Sequence, residues 1–276
     1  MINNPDPFTL DLCRMGPIAA RILKQVAKGN VIAVFDRCFY LDLNNTYICL
    51  GSSNFSDGPL NVISSAPDKT NWITSGIRVG DRVNVANYKL KVGLNMVFRF
   101  MNTEIWKPRP LLITSILTTK IEQFYASNPS QSGFPKQAYP LIEALSDWLK
   151  TSTHLPPPSI KSLLGMGPGL TPSGDDFIGA MLITLHHMGQ VQTKAQLTRS
   201  VLHHTTKATN PISAQHLYAA IDGMGSDALH RVLAGEPSAL NTLVSIGHTS
   251  GWDALAGIYT TLKVYYNKNQ EGLIAA

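Results

Sequence analysis

The sequence contains little cysteine and little charge. Three of its 276 residues are cysteine, at Cys13, Cys38 and Cys49, and no two of them form a CxxC pair. Reduced thiols in a cytoplasmic protein are the simplest explanation of this pattern. Charged residues make up 15% of the chain and hydrophobic residues 44%, which favours a folded protein with a sizeable core.

Long apolar runs and basic clusters are also missing. The longest apolar stretch, near Phe177–Leu185, is too short to span a bilayer, and Arg14 and Arg21 interrupt the first apolar segment. We therefore expect neither a membrane span nor a signal peptide. The net charge of +5 is not gathered into a basic stripe with aromatic residues, so nucleic-acid binding is not expected. A mildly basic surface favours anionic substrates or an acidic partner.

Several familiar catalytic motifs are absent. The sequence has no GxSxG, no HExxH and no Gly-Lys-Ser/Thr of a Walker loop. We therefore predict no metal-ligand set and no resident cofactor, with Mg²⁺ as the one ion that its acidic residues could attract. All eight histidines lie after residue 153, which makes the second half the better place to look for chemistry near neutral pH.

The periodicity of the chain changes near residue 110. A helix is predicted over Pro17–Lys28, followed by strands at residues 31–35, 37–43, 46–50, 60–64, 71–74, 82–92 and 95–100. Asn44-Asn45 is typical of a two-residue hairpin turn. From residue 111 onward the apolar spacing is helical. The sequence thus predicts an α+β protein, with a strand-rich domain over residues 1–110 that forms a small sheet or barrel, and a helical domain over residues 111–276.

The stretch GMGPGLTPSGDDFIGAML, from Gly165 to Leu182, combines glycine and acid directly before a segment that is predicted to be a buried helix. One interpretation is structural: Ser173 caps the helix, Asp176 completes a capping box, and Asp175 suits the helix dipole. Capping leaves the three preceding glycines unexplained. Glycine is favoured where φ is positive or where the backbone approaches another group closely.

A glycine loop that enters a helix N-terminus is also a general anion site, because it presents unpaired N–H groups and the positive end of the helix dipole. The candidate ligand-binding residues of this loop are Gly165, Gly167, Gly169, Thr171, Ser173 and Gly174. Asp175 and Asp176 would repel an anion unless Mg²⁺ or a ligand N–H group lies between them. These two aspartates are candidate catalytic residues.

A second stretch, GHTSGWDALAGI from Gly247 to Ile258, repeats the S-G-x-D pattern. Two such helix starts can face one cleft, or S-G-x-D can be a helix cap that the chain uses twice. Thr249, Ser250 and Asp253 are candidate ligand residues on the opposite wall, and the neighbouring His248 is a further catalytic candidate. Asn210 and Ser213, in the polar segment between the motifs, complete the candidate site, and Ser213 is also a candidate N-cap.

The glycine motif, the Asn210–Ser213 segment NPIS and GHTSGWDALAG together resemble a bacterial family, formerly of unknown function, that includes the AllH-type subunit of oxamate carbamoyltransferase. The resemblance is weaker in the strand-rich half, around Gly58-Pro59-Leu60 and Trp106. It implies a cytoplasmic subunit of a hetero-oligomer with FdrA-like proteins, acting in allantoin degradation and purine catabolism.

The reaction that the resemblance implies converts oxalurate and phosphate into oxamate and carbamoyl phosphate. The implied ligands are therefore small anions such as phosphate, oxamate or carbamoyl phosphate. Donors at the helix N-termini would stabilise charge on a tetrahedral intermediate, and no covalent enzyme intermediate is needed. Two alternatives stay open: a non-catalytic metabolite-binding or scaffold subunit of an FdrA-like complex, and a metal-dependent hydrolase that uses the aspartate pair.

Overall fold

A computed structural model describes residues 8–94, 96–108, 111, 113–151 and 159–274. The chain divides into two compact units, residues 1–108 and residues 109–276, and each has its own cluster of buried apolar side chains. The first unit is rich in strands and the second is helical, so the predicted α+β class is confirmed.

The strands of the first unit close into an eight-stranded barrel. Around the barrel the order is β1-β5-β4-β3-β2-β6-β7-β8, and β8 pairs back onto β1. A ninth strand, β9, extends the sheet beside β1. The strands span Phe8–Met15 (β1), Lys28–Val34 (β2), Cys38–Leu43 (β3), Thr46–Gly51 (β4), Asn61–Ser64 (β5), Arg82–Ala86 (β6), Lys89–Val92 (β7), Met96–Arg99 (β8) and Glu104–Ile105 (β9).

Strand β1 closes the barrel, although the sequence analysis did not predict it. Its first half pairs in parallel with β8, its end pairs in parallel with β9, and its other edge pairs with β5 in the antiparallel direction. The segment alternates polar and apolar residues, and Leu10, Leu12 and Met15 are buried while the side chains between them face outward.

Aromatic side chains fill the barrel. Phe39 of β3, Phe98 of β8 and Trp72 are buried, with ring centroids 5.0 to 6.2 Å apart. The strand predicted at residues 71–74 is wrong, since Trp72–Thr74 forms a short 3-10 helix. The side chain of Asn71 accepts a hydrogen bond from the Ile73 N–H at 3.0 Å, and this local bond favours a turn over an extended strand.

Two tight turns join neighbouring strands. Asn44 and Asn45 adopt φ of 56° and 61°, which confirms the predicted two-residue hairpin between β3 and β4. Asn87 and Tyr88 adopt φ of 50° and 56° and divide the single strand predicted at residues 82–92 into β6 and β7. Tyrosine rarely adopts positive φ, so the second turn has no clear signal in the sequence.

Helix α1, at Pro17–Gln25, packs its apolar face onto the barrel core. The helices of the second unit span Ile116–Ser127 (α2), Ala138–Thr151 (α3), Ser159–Leu163 (α4), Ser173–His187 (α5), Val191–Ala208 (α6), Pro211–Ile221 (α7), Asp227–Leu233 (α8), Ala239–Val244 (α9) and Ser250–Ile274 (α10). Within the described part of the chain, none of the helices combines the length and the apolarity that crossing a membrane requires.

The helix that follows the glycine motif is the centre of the second unit. Most residues of α5 are buried, as its apolar sequence predicts. Helix α10 lies directly against it at Gly257, where a Cβ atom would stand 2.2 Å from the carbonyl oxygen of Phe177 and 3.0 Å from the Cβ of Ala180. A glycine at this point allows the two backbones to approach, so both S-G-x-D helix starts belong to one tightly packed pair of helices.

Replacing Phe39 by alanine should destabilise the barrel by about 3–5 kcal/mol, because the change removes a buried ring from between Trp72 and Phe98 and leaves a cavity. Urea denaturation followed by near-ultraviolet circular dichroism would measure the loss. Phe8→Ala is the matched control, since the Phe8 ring is 60% exposed, and it should change stability little. Equal effects of the two substitutions would contradict the assigned aromatic core.

Candidate functional site

The loop before α5 needs glycine for both reasons that the sequence indicates, positive φ and close approach of the backbone. Gly165, Gly167 and Gly169 adopt φ of 72°, 114° and 93°, in the region that L-residues rarely occupy. A Cβ on Gly165 would also stand 1.9 Å from the carbonyl oxygen of Ala208, at the end of α6. Positive φ and close approach are therefore both confirmed, and the loop follows a path that side chains would block.

Asp175 holds this loop in place. Its carboxylate is buried, with 3% of the residue exposed. One oxygen accepts a hydrogen bond from the Gly165 N–H at 2.8 Å, and the other accepts from the hydroxyls of Thr209 and of Ser213, the latter at 2.6 Å. All three donors belong to the protein, so the geometry gives Asp175 the task of joining the glycine loop to the α6–α7 junction.

Asn210 makes a second connection between the same parts of the fold. Its side-chain amide donates to the carbonyl oxygen of Leu170 at 2.9 Å, and its side-chain oxygen accepts from the Ser213 N–H at 3.0 Å. Asn210 is therefore the N-cap of α7, and the predicted capping role of Ser213 is wrong. The Ser213 hydroxyl bonds to Asp175 instead, because it already lies inside the helix, facing α5.

Ser173 does not cap α5. The helix begins at Ser173 itself, Pro172 occupies the N-cap position, and no side chain completes a capping bond there. The capping box predicted for Ser173 and Asp176 is therefore wrong. The Ser173 hydroxyl is fully buried, and its oxygen has no hydrogen-bond partner among the described residues. A buried hydroxyl without a partner costs about 1–3 kcal/mol, so this atom calls for an explanation other than capping.

The two S-G-x-D motifs are built in the same way. In the first, the Gly174 N–H donates to the carbonyl oxygen of Met166 at 2.9 Å. In the second, the Gly251 N–H donates to the carbonyl oxygen of Ile246 at 3.1 Å. The amide of Gly174 is thus used inside the protein, although the sequence analysis assigns this residue to ligand binding.

Close packing on the preceding short helix is repeated as well. A Cβ on Gly174 would lie 1.8 Å from the carbonyl oxygen of Leu163 in α4, and a Cβ on Gly251 would lie 1.9 Å from that of Leu243 in α9. Each motif is therefore a short helix, a loop and a long helix that crosses the end of the short one. The glycine of Ser-Gly is required by this contact in both copies.

The two helix starts meet at their hydroxyl groups. The Thr171 and Ser250 hydroxyl oxygens are 2.9 Å apart, so the structure brings the two motifs to one place, as one of the two interpretations of their shared pattern expects. Asp176 lies beside them. Burial raises the pKa of the Asp176 carboxyl well above its usual range, and the neighbouring hydroxyls of Ser250 and Thr171 oppose this rise only in part. Its Oδ2 atom is buried with no hydrogen-bond partner among the described residues.

Asp253 occupies the position in the second motif that Asp176 occupies in the first, but its surroundings differ. It is fully buried, and its Oδ1 atom accepts hydrogen bonds from the Ser132 hydroxyl at 2.5 Å and from the Gly133 N–H at 3.1 Å. Ser132 and Gly133 lie in the connection between α2 and α3. The carboxyl group of the second motif is therefore hydrogen-bonded by donors of the chain itself.

His248 and Thr249 lie in the turn before α10. The His248 imidazole is exposed, and no described contact joins it to the hydroxyl cluster formed by Thr171 and Ser250. Its catalytic role therefore stays a prediction. The Thr249 hydroxyl, in contrast, faces the cluster, since a Cβ on Gly133 would stand 2.8 Å from its oxygen. Within the described part of the chain, no three His, Cys, Asp or Glu side chains are grouped as a metal site.

Three residues of this region carry no functional signal of their own in the sequence. Thr209, which donates to Asp175, lies in the same polar run as the candidate residues Asn210 and Ser213. Ser132 and Gly133 come from a segment, NPSQSG, that has the composition of an ordinary connecting loop. Nothing in that composition indicates contact with a helix start more than a hundred residues later.

In a comparison with known protein families, the part of the chain that matches is this region. Residues 163–262 match the family described as oxamate carbamoyltransferase subunit AllH. The matched range begins at the end of α4 and continues into α10, so it includes both S-G-x-D motifs. The match covers about a third of the chain and supports the family resemblance that the three sequence motifs carry. No solved structure matches the chain.

Replacing Asp175 by asparagine should destabilise the helical unit by about 2–4 kcal/mol, because an amide group would be placed against at least one of the three donors that now share the carboxylate. Thermal or urea denaturation would measure the change. Asp147→Asn is the matched control, since Asp147 forms an exposed pair with Lys150 and should contribute little. An unchanged stability in Asp175→Asn would remove the loop-holding role.

Proposed function

We propose that this chain is a subunit of a carbamoyltransferase and that it binds a small anion where the glycine loop meets the start of α10. One observation carries the proposal: two polar atoms, the Ser173 Oγ and the Asp176 Oδ2, are buried at this meeting point without a partner among the described residues. Native proteins pair most of their buried polar atoms, so two unpaired atoms at one meeting point support the binding of a polar ligand there. The family match covers the same residues.

The backbone adds suitable donors. The N–H groups of Gly167, Gly169 and Ser173 make no hydrogen bond to other described residues. They lie in the loop and at the first helical residue, where amides point out of the helix and the dipole favours negative charge. Phosphate, oxamate or carbamoyl phosphate would supply the acceptor oxygens that these donors lack.

The two aspartates do not prevent anion binding in this arrangement. Asp175 is surrounded by its three protein donors and faces the loop. The raised pKa of Asp176 means that its carboxyl is protonated over a wider pH range than an exposed aspartate. A protonated carboxyl carries no charge and can donate a hydrogen bond to an anion oxygen, so the repulsion that the sequence suggests is removed.

The chemistry that follows is positioning and charge stabilisation. Donors of the glycine loop hold the phosphate or oxamate portion. The carbamoyl group donates its N–H hydrogens to the Asp176 carboxyl, which orients it. The Thr171 and Ser250 hydroxyls lie beside that carboxyl and stabilise charge on the tetrahedral intermediate. The partners of the subunit are FdrA-like proteins in the cytoplasm, and the pathway is allantoin degradation. Ser173 and Thr249 contact the ligand, while Asp253 supports the opposite wall.

A metal-dependent hydrolase is supported less well than transfer. Such an enzyme would need free carboxylate oxygens on the adjacent aspartates to hold Mg²⁺. The oxygens of Asp175 accept three hydrogen bonds from the protein, and those bonds would have to break before a metal could bind. The geometry therefore favours a site in which the aspartate pair holds the loop and recognises a substrate.

The purified chain should bind phosphate and oxamate, with an affinity that falls as the pH rises through the raised pKa of Asp176, because the deprotonated carboxylate repels the anion. Isothermal titration calorimetry over a series of pH values from acid to alkaline, with and without magnesium, would measure this dependence. Asp176→Asn keeps a hydrogen-bond donor but cannot ionise, so its affinity for oxamate should be nearly independent of pH.

Asp227→Asn, at the first turn of the short helix α8, is the control for a general effect of removing an acid at a helix start. It should leave the pH dependence intact. If neither phosphate nor oxamate binds at any pH, the anion site is wrong. If magnesium alone binds and the chain then hydrolyses a phosphoester, the hydrolase alternative replaces the transferase proposal.

Reconstitution with FdrA-like partner subunits tests the assembly itself. The complete mixture should convert carbamoyl phosphate and oxamate into oxalurate and phosphate, and Asp176→Ala should lower the rate by about 100-fold or more, as loss of a group that stabilises the transition state does. Formation of the complex, measured by size-exclusion chromatography, should not change. Full activity in Asp176→Ala would instead support a scaffold role for this subunit.

A further inference from the structure

The segment Ser132–Phe134, here called the strap, lies across both helix starts. Its hydroxyl and amide donors bind the buried carboxylate of Asp253 through the bonds described above, and its Phe134 ring packs edge-on against Phe177 with centroids 5.7 Å apart. The Ser132 hydroxyl also accepts a bond from the Phe134 N–H at 3.3 Å, which holds the strap in a turn. The strap is therefore fixed at a polar end and at an aromatic end.

The strap covers the hydroxyls that the proposed site would use. A Cβ placed on Gly133 would stand 2.4 Å from the Ser173 Oγ and 2.8 Å from the Thr249 Oγ1. Gly133 thus lies in van der Waals contact with both side chains, and no ligand fits between them. From the other side, a Cβ on Gly167 would stand 2.8 Å from the same Ser173 Oγ. The Ser173 hydroxyl is enclosed between two glycines.

The strap touches the Ser173 hydroxyl without forming a hydrogen bond to it. The Gly133 N–H donates its hydrogen bond to Asp253, and no group of the strap forms a hydrogen bond with the Ser173 hydroxyl beneath it. The closed arrangement keeps a buried polar atom unpaired, and lifting the strap would let a ligand pair with that atom. The bonds to Asp253 offset this cost, because hydrogen bonds to a buried carboxylate are stronger than those between neutral groups.

We propose that Asp253 is a positioning residue that latches the strap over Ser173 and Thr249, and that a ligand reaches these hydroxyls only when the latch opens. The inference rests on the proposed anion site. It gives the two S-G-x-D motifs different tasks: the carboxyl group of the first faces the ligand, whereas that of the second holds the chain segment that excludes the ligand. The apparent association constant then equals that of the open form multiplied by the fraction of molecules that are open.

Ser132→Ala tests the latch with a small change. It removes the 2.5 Å bond to Asp253 and leaves the Asp253 carboxylate with the Gly133 N–H. The open fraction should rise, so that oxamate binds about tenfold more tightly and associates faster, as measured by calorimetry and stopped-flow fluorescence. Gly133→Ala provides a second test, since its methyl group would push the strap away from Ser173 and should change affinity in the same direction.

Ser127→Ala is the matched control, because among the described residues the Ser127 hydroxyl bonds to the Gln123 carbonyl oxygen at the end of α2 and not to the strap. It should bind oxamate as the unaltered chain does. Equal affinity in Ser132→Ala, Gly133→Ala and the unaltered chain would overturn the latch and leave the anion site standing. Weaker binding in both variants would also overturn it, since the strap would then be part of the ligand's own wall. Absence of oxamate binding in all four proteins would overturn the anion site and the latch together.

Discussion

The helical unit depends on the buried carboxylate of Asp175. This group is the meeting point of three segments that are distant in the sequence, because it takes the Gly165 amide, the Thr209 hydroxyl and the Ser213 hydroxyl at once. A buried carboxylate is stable only when its oxygens receive several hydrogen bonds. That requirement constrains the path of the glycine loop, which continues to Thr171, whose hydroxyl contacts that of Ser250 at the start of α10.

The second constraint is the repetition of one helix–loop–helix unit. Each copy places a Ser-Gly pair at the start of a long helix and packs the glycine against the carbonyl oxygen of a shorter one. The copies differ in what their carboxyl groups contact. Asp253 is satisfied by the strap, whereas Asp176 keeps a buried oxygen without a described partner. Under the proposed function, the same local framework is a support in one copy and a recognition surface in the other.

Sequence reasoning succeeded where backbone conformation dictates residue type. The glycines at 165 and 167 indicate positive φ or close approach, and both causes are present. Local patterns mislead at the starts of α5 and α7. Ser173 and Asp176 have the spacing of a capping box, and Ser213 has the composition of an N-cap, but Pro172 and Asn210 hold the two cap positions. Capping patterns record what a side chain can do locally, and tertiary contacts decide whether it does so.

The sequence by itself determined the α+β order of the chain, the Asn44-Asn45 hairpin and the presence of two equivalent helix starts, because each follows from periodicity or from residue-specific φ preferences. Closure of the barrel through β1, the meeting of Thr171 with Ser250 and the covering of Ser173 by Gly133 were decided only by tertiary structure. These are contacts between segments far apart in the chain, and local preferences carry no information about which distant donor will fill a given acceptor.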